Sequence, residues 1–524
     1  MLVGIINSYG LSIDYSNFLI NCGGKTNLNK ILKSLTVIEK AGHGKPKGAP
    51  LIIKYAYMNK GTNIIFPRIK YPLFIKHNLI DSVKIEYNNE TRIIPEHTLD
   101  IPLYEYQEQL IEYLIINKFS TESINNRIAT CYLQLDTGLG KTRIGCVLVN
   151  RLRYPTLIVV PTIAIGHQWI DEFKEVFPDM KTIFYHNSIG KDISPDNYDV
   201  TVIVVNTFTK KDTNFLKGYG LIILDEAHEY YTTCNGKILW LLQTKVVLGL
   251  SATPIERPDE LDKYVALHLG QPIYAKDIVN ISSVKFRAKV KCINYYGSPN
   301  YIENILTNKG TTSTILTIGN IIKDPCRIQL VIKEIKRLYN EKHGIFVFAE
   351  HRDFLDILKE HLIDLRVSIE DDDITVNEVD TSIFRGGIHK NDIQRAKTLS
   401  KERGSHIILT TYGYSRRGIS LTEMTAIVMV TPRRNGIKQI IGRILRRGSD
   451  ESIVRNIIDI VDIRCNIRSQ YLDRKKIYIE RGYDIENVKV ESSNVEDESN
   501  DYIADEDYDV EKIHQLLEDI YGSD

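Results

Sequence analysis

Short, strongly apolar runs recur along the chain from Leu103 onward, and each is followed by a more polar segment. The runs in the first half are TCYLQL, TLIVVPT, DVTVIVVNT, LIILDEAHE and KVVLGLSAT. Runs that are apolar at consecutive positions suit strands buried on both faces of a parallel sheet, and periodic segments such as AIGHQWIDEFKEVF suit crossover helices. The pattern therefore predicts a doubly wound α/β domain that ends near Gly270.

A second series of the same kind, GIFVFAE, HIILTTYG, AIVMVTP and VRNIIDIVD, predicts a second α/β domain. The first 98 residues mix short apolar runs with a Gly, Pro and Lys cluster, which predicts a small α/β or mostly β domain. The last 41 residues are charge-dense and poor in apolar side chains, which is typical of disorder, with a short terminal helix at VEKIHQLLEDIYG. The predicted divisions are an accessory domain at 1–98, a first α/β domain at 99–275, a linker at 276–323, a second α/β domain at 324–483 and an acidic tail at 484–524.

The length of 524 residues and the 43% apolar content are sufficient for several buried cores. No apolar run approaches the roughly 20 residues that a membrane span needs, and the first residues lack the pattern of a secretory signal. We therefore expect a protein of a cytosol-like compartment. The seven cysteines form no C-x-x-C pair, so the sequence predicts neither a structural metal site nor a disulfide framework, and buried apolar thiols are expected instead.

The net charge of zero hides an asymmetry along the chain. Residues 484–524 carry a net charge of −13, and residues 1–483 a net charge of +13. A basic body favours binding to a polyanion such as nucleic acid, although a basic surface that serves solubility is the plain alternative.

The segment LQLDTGLGKTRIG has the composition of a phosphate-binding loop. A predicted strand precedes it and an amphipathic helix follows, which is the context that such a loop requires. Gly138 and Gly140 allow backbone N–H groups to approach phosphates, Lys141 would meet the β and γ phosphates, and Thr142 would meet Mg²⁺. Leu135 stands where the longer pattern has glycine. The predicted nucleotide-binding residues are Asp136, Thr137, Gly138, Leu139, Gly140, Lys141 and Thr142.

A pair of acids follows another buried strand in LIILDEAHEYY. Asp225 and Glu226 come at its carboxyl end, where open α/β sheets place ligand chemistry. Asp225 suits a hold on Mg²⁺, together with Thr142, and Glu226 suits a base that orients an attacking water. His228 by itself would more often be structural, and it is a candidate because it completes the D-E-A-H tetrad.

TGLGKT, DEAH, SAT at Ser251–Thr253 and QIIGRILRR from Gln439 occur in an order that resembles the motifs of superfamily 2 helicases and translocases. The resemblance implies two RecA-like domains that use ATP and grip a nucleic-acid backbone. It implies an adenine contact for Gln107 in LYEYQEQL, where Tyr104 replaces a commonly found arginine. It also implies backbone-phosphate contact or coupling for Pro161, Thr162, Thr207, Ser251, Thr253, Thr410, Thr411 and Gly418, with Ser420 at a position where Asp is frequent.

Gln439, Arg443 and Arg446 are the candidate site residues of the second domain. Arginines three apart lie on one helix face, from which they could reach a γ-phosphate as arginine fingers. A solvated basic helix is the plain alternative, and it suits Arg447 better than Arg443, which follows Gly442.

YPTLIVVPT, GLSATPIERPD, HLGQP, TYGYSRRGIS, TPRRN and GRILRRGSDE resemble the DEAH-type helicases of large cytoplasmic DNA viruses, the group that includes African swine fever virus. The poxvirus transcript-release helicase is a more distant likeness. This resemblance implies action in the infected cytoplasm or viral factory, or presence in the virion, with a role in viral transcription and the viral RNA polymerase as a partner.

The leading hypothesis is an ATP-dependent helicase or translocase on DNA or RNA. The alternative is a scaffold that binds nucleic acid or polymerase and keeps a vestigial ATP fold, which the departures at Tyr104, Leu135 and Ser420 favour. A P-loop kinase or a transport ATPase does not account for QIIGRILRR.

Overall fold

The structure, a computed structural model, divides into two compact units, Met1–Val284 and Lys285–Asp524. No helix in the described part of the chain has both the length and the apolar character that crossing a bilayer requires. The described residues are 2–40, 50–86, 90–186, 194–254, 259–280, 287–298, 300–306, 310, 312–363, 381–384, 406–415, 423–434, 436–445, 452–491 and 503–504.

The first unit begins with a five-stranded sheet of order β5-β6-β2-β1-β7, in which only β1 and β7 pair in parallel. A separate hairpin of β3 and β4 completes this part. Its elements are β1 Val3–Asn7, β2 Gly10–Asp14, α1 Tyr15–Asn21, α2 Lys25–Ser34, β3 Thr36–Ile38, β4 Ile53–Tyr55, β5 Met58–Lys60, β6 Asn63–Phe66, α3 Tyr71–Lys76 and β7 Ser82–Ile85.

A seven-stranded parallel sheet of order β10-β11-β9-β12-β13-β8-β14 follows in the same unit. Its central strands are buried at every position, as the consecutive apolar runs predict. The elements are α4 Glu105–Asn117, α5 Thr121–Asn125, β8 Thr130–Gln134, α6 Lys141–Leu152, β9 Thr156–Val160, α7 Ile163–Val176, β10 Thr182–Tyr185, β11 Val200–Val204, α8 Val205–Phe208, β12 Leu221–Leu224, β13 Val246–Ser251, α9 Lys263–Leu269 and β14 Ile273–Tyr274.

One continuous hydrophobic core joins the N-terminal sheet to a face of the larger sheet. It includes Leu11 and Phe66 from the first sheet and Leu157 and Val247 from the second. The buried side chain of Arg68 adds a polar link, because it donates a hydrogen bond to the carbonyl of Thr244. The boundary predicted at residue 98 thus separates two sheets, but the two sheets share a core.

A buried histidine in this unit makes its stability depend on pH. His268 on α9 lies edge-on to the rings of Trp240 and Tyr264, at centroid distances of 4.7 and 4.9 Å. Burial, followed by the positive charge of Lys70, lowers the pKa of His268 to about 3. The unfolded chain takes up this proton near pH 6.5. Since the folded chain does so only near pH 3, stability is lost as the pH falls below 6.5.

We expect the free energy of unfolding of the first unit to be about 1 kcal/mol lower at pH 5.5 than at pH 7 through this group. Urea unfolding followed by tryptophan fluorescence measures it, since Trp169 and Trp240 both belong to this unit. His268→Leu should remove this part of the pH dependence, and His77→Leu, at an exposed histidine, should keep it. An unchanged pH slope in His268→Leu would contradict the prediction.

The second unit has an eight-stranded sheet of order β17-β18-β16-β19-β20-β15-β21-β22, parallel except for the pairing of β21 with β22. Together with the sheet of the first unit it confirms the predicted fold class, two α/β domains of RecA-like type. Its elements are β15 Ala288–Tyr295, α10 Thr314–Ile321, α11 Pro325–Asn340, β16 Gly344–Ala349, α12 Arg352–Ile363, β17 Thr381–Phe384, β18 Ile407–Thr411, α13 Tyr412–Ser415, β19 Met424–Met429, α14 Ile437–Ile441, β20 Arg455–Asp462, α15 Ser469–Glu480, β21 Asp484–Val490 and β22 Ile503–Ala504.

A buried ion pair between Arg474 of α15 and Asp459 of β20 links this helix to the sheet of the second unit. Arg474 donates from Nε and Nη2 to the two carboxylate oxygens of Asp459, each at 2.8 Å. Tyr478 donates to the same carboxylate at 2.7 Å. Arg474 is only 2% exposed. Because every oxygen of the carboxylate is hydrogen-bonded, the charges are tolerated in this core.

The second unit starts earlier than the sequence predicts. β15 and α10 lie within the predicted linker 276–323, and the unit begins at Lys285 instead of Asp324. The sequence of β15 is AKVKCINY. Its lysines interrupt the apolar pattern, so the sequence does not predict a buried strand there. In the fold these lysines have acidic partners: Lys291 lies 2.7 Å from the buried Glu334, and Lys289 lies 2.8 Å from Glu486.

The disorder predicted from Asp484 onward is wrong for the first part of that segment. Asp484–Val490 forms β21 beside β15, and Val488 and Val490 are buried. Part of the acidic charge that suggested disorder is balanced by the lysines of β15. The rest of the predicted tail, including its terminal helix, lies outside the described residues except for Glu491 and β22.

Candidate functional site

The carboxyl ends of four neighbouring parallel strands, β9, β12, β13 and β8, lie along one edge of the first sheet. The segments that follow these strands carry Thr162, Asp225, Thr253 and the glycine-rich loop. Open α/β sheets bind ligands at this edge. The fold therefore brings together the sequence-predicted site residues of the first domain.

Leu135, which replaces the first glycine of the longer loop pattern, is a core residue. Its side chain is fully buried, and its N–H donates to the carbonyl of Ser251 at 3.0 Å. The side chain of Gln134 adds hydrogen bonds to Asp136 at 2.9 Å and to the carbonyl of Ala252 at 3.0 Å. The start of the loop is thus held to the end of β13 without a glycine.

The loop then turns through two left-handed glycines, Gly138 with φ 88° and Gly140 with φ 79°, and α6 begins at Lys141. The loop is braced from α4, since Tyr106 donates to the carbonyl of Leu139 at 2.8 Å and Gln107 donates to it at 3.3 Å. The N-terminus of α6 directs its unsatisfied backbone N–H groups and its positive dipole end toward the site.

Gln107 holds the loop in this structure and is only 1% exposed. Its amide oxygen accepts from the N–H of Tyr104 at 3.1 Å. Tyr104 is 42% exposed and stacks on Tyr106, with ring centroids 5.9 Å apart. The adenine contact of Gln107 stays a prediction, and the exposed ring of Tyr104 occupies the position that has arginine in the family pattern.

Replacing Gly140 with alanine should weaken ATP binding. A Cβ atom at this position would lie 2.3 Å from Nε2 of Gln107, and the left-handed backbone adds strain of about 1–2 kcal/mol. Since the loop must hold this conformation to accept phosphate, we expect a Kd for ATP about 5- to 30-fold higher, measured by equilibrium binding. Gly61→Ala is the matched control, because Gly61 has φ 62° but no atom within 4 Å of the added Cβ. Equal ATP affinity in the two variants would contradict this account.

Two acids and a lysine define the centre of the site. Nζ of Lys141 lies 3.7 Å from Oε1 of Glu226. Asp225 is 6% exposed and accepts from the indole N–H of Trp169 at 2.8 Å and from the N–H of Glu226 at 2.9 Å. Burial, followed by the charge of Glu226, raises the pKa of Asp225 to about 6, against the lowering effects of Lys141 and Trp169.

Glu226 has a left-handed backbone, with φ 46° and ψ 48°. Such a conformation costs a non-glycine residue of order 1–3 kcal/mol, and it is found mainly where the surrounding structure enforces it. Tyr230 supports the backbone around Glu226, because its single hydroxyl proton is shared between the carbonyls of Asp225 and Val159, at 2.8 and 3.0 Å.

A polar relay leads from Glu226 to the end of β13. Nδ1 of His228 lies 3.4 Å from Oε2 of Glu226 and 2.9 Å from Oγ of Ser251. The hydroxyl of Ser251 also accepts from the N–H of Thr253 at 3.0 Å. The hydrogen bond between His228 and Ser251 joins the second and third sequence motifs, and the carboxylate of Glu226 lies beside His228.

The residues at this edge suit a nucleotide-bound divalent cation. No cluster of three or more metal-ligating side chains is found in the described part of the chain, so such an ion would draw its other ligands from phosphates and water. Asp225 offers a buried carboxylate. The hydroxyl of Thr137 is buried and makes no hydrogen bond within the described residues, which suits a loop built to contact a ligand.

The other predicted contacts of the first unit lie along the same edge. Thr162 caps α7, where its hydroxyl accepts from the N–H of Ile165 at 3.4 Å, and Pro161 precedes it. Thr207 is on α8, directly after β11. All three are partly exposed.

In the second unit, Thr410 and Thr411 end β18, and Thr410 is buried. Gln439 is on α14 and Arg443 follows it, both half-buried. Gly418 and Arg446 lie outside the described residues.

The segment that leads into α14 is fixed by side chains from three elements. Arg327 donates to the carbonyl of Val430 at 2.8 Å, Tyr412 to that of Thr431 at 2.7 Å, and Arg474 to that of Arg433 at 2.8 Å. These hydrogen bonds fix the position of the segment before α14, and therefore help to position Gln439 and Arg443.

Three residues of the first unit contribute to the site without having been predicted from the sequence: Trp169, Gln134 and Tyr230. Trp169 reads as a core residue in HQWIDEF. A signal was present nonetheless, because a buried tryptophan normally has a hydrogen-bond partner for its N–H.

Comparison with known proteins gives relatives across most of the chain. The profile of the family described as type III restriction enzyme, res subunit, matches residues 100–256. An African swine fever virus protein that is named an ATP-dependent RNA helicase is 37% identical over 495 residues, which cover 92% of each chain. A protein of Acanthamoeba polyphaga mimivirus with the same kind of name is 25% identical over 377 residues, covering 68% of this chain and 66% of that one. Among solved structures, S. cerevisiae Dbp5 bound to RNA and ADP BeF3 is 12% identical, with a TM-score of 0.47, and the match covers 80% of this chain and 98% of that one.

Proposed function

Because this chain belongs to the family of ATP-dependent helicases that includes the African swine fever virus protein, we propose that it couples ATP hydrolysis to movement along, or unwinding of, a DNA or RNA strand. The observation that carries the proposal is the arrangement at the edge of the first sheet. There Lys141 lies 3.7 Å from Glu226, beside a left-handed glycine turn and the buried Asp225.

The loop from Asp136 to Thr142 binds the triphosphate. Its backbone N–H groups and the start of α6 meet the phosphate oxygens, and Lys141 exchanges its contact with Glu226 for the β and γ phosphates. Thr142 and Asp225 would hold Mg²⁺, which would neutralise phosphate charge.

Glu226 orients the attacking water and accepts its proton. Its carboxylate is held on one side by Lys141 and on the other by His228, 3.4 Å away. A movement of the Glu226 side chain shifts His228, which is hydrogen-bonded to Ser251. Ser251 in turn accepts a hydrogen bond from the backbone N–H of Thr253, so the movement reaches the segment after β13.

We propose, from the sequence pattern GRILRR alone, that Arg443 and Arg446 stabilise charge on the γ-phosphate, together with Gln439. An arginine finger contributes about 10³- to 10⁵-fold in rate in other phosphoryl-transfer systems.

Nucleic acid is held by its backbone. The proposed contacts are Pro161, Thr162 and Thr207 in the first unit and Thr410, Thr411 and Gly418 in the second. Backbone contact requires no base-reading module and is electrostatic, which agrees with the net charge of +13 on residues 1–483. The names of the African swine fever virus and mimivirus relatives favour RNA as the strand, whereas the resemblance to viral transcription helicases favours DNA, and the assay of ATP hydrolysis decides between them.

The viral relatives support a proposed setting. We propose that the protein acts in the cytoplasm of the infected cell, in the viral factory or the virion, in transcription beside the viral RNA polymerase. Co-purification of polymerase subunits with the full chain from infected cells is the corresponding measurement.

ATP hydrolysis by the purified chain tests the proposal. The assay compares no nucleic acid, single-stranded DNA, duplex DNA and single-stranded RNA at one fixed low salt concentration, because phosphate contacts weaken steeply with salt. Lys141→Ala serves as the blank for contaminating ATPase. We expect stimulation by at least one polynucleotide, and stimulation by DNA alone or RNA alone assigns the substrate. No turnover with any of them would overturn the proposed activity.

A further inference from the structure

We propose that Trp169 is a positioning residue that orients the Asp225 carboxylate toward the nucleotide-bound divalent cation. This inference rests on the proposed function. Trp169 lies on α7, within the segment that the sequence assigns to nucleic-acid contact, yet its indole N–H donates to Oδ2 of Asp225 at 2.8 Å. Trp169, which lies in the sequence between the glycine-rich loop and the D-E-A-H tetrad, thus contacts the carboxylate of Asp225 at the centre of the site.

The hydrogen bonds of Asp225 leave room for a cation. Oδ2 accepts from Trp169 and Oδ1 accepts from the N–H of Glu226 at 2.9 Å. Each carboxylate oxygen has two lone-pair directions, so one direction on each oxygen stays available. Two donors at fixed positions, one on each oxygen, also fix the plane of the carboxylate. Without the indole donor the carboxylate could rotate about its χ2 torsion.

The same indole also contacts both elements that carry the cation's proposed ligands. Trp169 is fully buried against α6, and a Cβ atom at Gly145 would lie 2.4 Å from the ring. α6 begins with Lys141 and Thr142, and β12 ends next to Asp225. The ring therefore contacts the helix of Thr142 with its edge and the carboxylate of Asp225 with its nitrogen. A side chain that only filled the core would need the ring but not the N–H.

The chain offers a matched control, because its other tryptophan makes an equivalent hydrogen bond elsewhere. Trp240 donates from Nε1 to the hydroxyl of Tyr264 at 3.2 Å, in the same unit but outside the site. Trp169→Phe and Trp240→Phe each remove one indole N–H and keep an aromatic ring. Only the first changes the surroundings of Asp225.

The test measures equilibrium binding of a fluorescent, non-hydrolysable ATP analogue to the full chain as Mg²⁺ is titrated, with a parallel titration in EDTA. For Trp169→Phe we expect the Mg²⁺ concentration at half-maximal effect to rise about 10- to 100-fold, the usual loss when a residue that supports a metal ligand is removed. Binding without Mg²⁺ should stay unchanged. Trp240→Phe should match the wild type in both titrations.

Asp225→Asn keeps the inference testable if Trp169→Phe alters packing. In the Asp225→Asn background, Trp169→Phe should cause no further change in the Mg²⁺ dependence, since the indole acts through the carboxylate. A Mg²⁺ dependence equal to wild type in Trp169→Phe, or an equal further loss in the Asp225→Asn background, would overturn the inference. Absence of nucleotide binding by the wild-type chain would instead overturn the proposed function.

Discussion

Replacing Glu226 with glutamine is expected to lower nucleic-acid-stimulated ATP turnover by about 10²- to 10⁴-fold, the usual contribution of a positioned general base. The glutamine amide keeps the shape of the side chain but cannot accept the proton of the attacking water. ATP binding should persist, because the loop and Lys141 are unchanged. The variant also removes the negative charge that lies 3.7 Å from Nζ of Lys141. Steady-state ATPase assays and equilibrium ATP binding, done in parallel, separate the two effects.

Glu175→Gln is the control for this substitution. Glu175 is 57% exposed on α7 and pairs with Arg143 at 3.4 Å. A surface pair of this kind contributes about 0–1 kcal/mol to stability, and it does not touch the site. Turnover like wild type in Glu226→Gln, or an equal loss in Glu175→Gln, would remove Glu226 from the role of base.

Replacing Arg474 with alanine is expected to destabilise the second unit by about 3–5 kcal/mol, because the carboxylate of Asp459 would be left buried without its cation. The loss includes the hydrogen bond to the carbonyl of Arg433, which helps to place α14. Both tryptophans belong to the first unit, so their fluorescence does not follow this unfolding. Hydrogen exchange of peptides from β20 and α15, measured across a urea series, gives the free energy of opening.

Arg434→Ala provides the comparison within the second unit. Arg434 also pairs with a carboxylate, Asp473 at 3.0 Å, but the two side chains are 41% and 43% exposed. We expect a change below about 1 kcal/mol. Similar losses in the two variants would mean that burial does not set the strength of the Arg474 pair.

The candidate site residues of the first unit could be grouped from the sequence because each follows a strand with a run of consecutive buried apolar residues. Consecutive buried positions identify β8, β9, β12 and β13, and parallel strands bring their carboxyl ends to one edge. The sequence therefore placed Lys141, Asp225 and Ser251 at the same edge without knowledge of any distance.

Residues that act through a single long-range hydrogen bond could not be found in this way. Trp169 has the periodicity of a core residue on α7, and its bond to Asp225 spans 56 positions. The brace from Gln107 to Leu139 likewise depends on how α4 packs, which no local pattern specifies. The boundary errors have a related cause, because Lys289 and Lys291 of β15 pair with acids that lie far away in the sequence, Glu486 on β21 and Glu334 on α11.

The strand order of the second sheet has a consequence for how the chain folds during synthesis. β15 is made first but lies inside the sheet, between β20 and β21. Its nearest partner begins at Arg455, which the ribosome reaches roughly 160 residues after Tyr295, or roughly 8–32 s later at about 5–20 residues per second. During that interval both edges of β15 are without their partner strands, and unpaired strand edges promote aggregation. Lys289 and Lys291 interrupt the apolar pattern of this strand and keep it charged during the interval. The same lysines would therefore limit aggregation of the nascent chain, and in the folded unit they pair with Glu486 and Glu334.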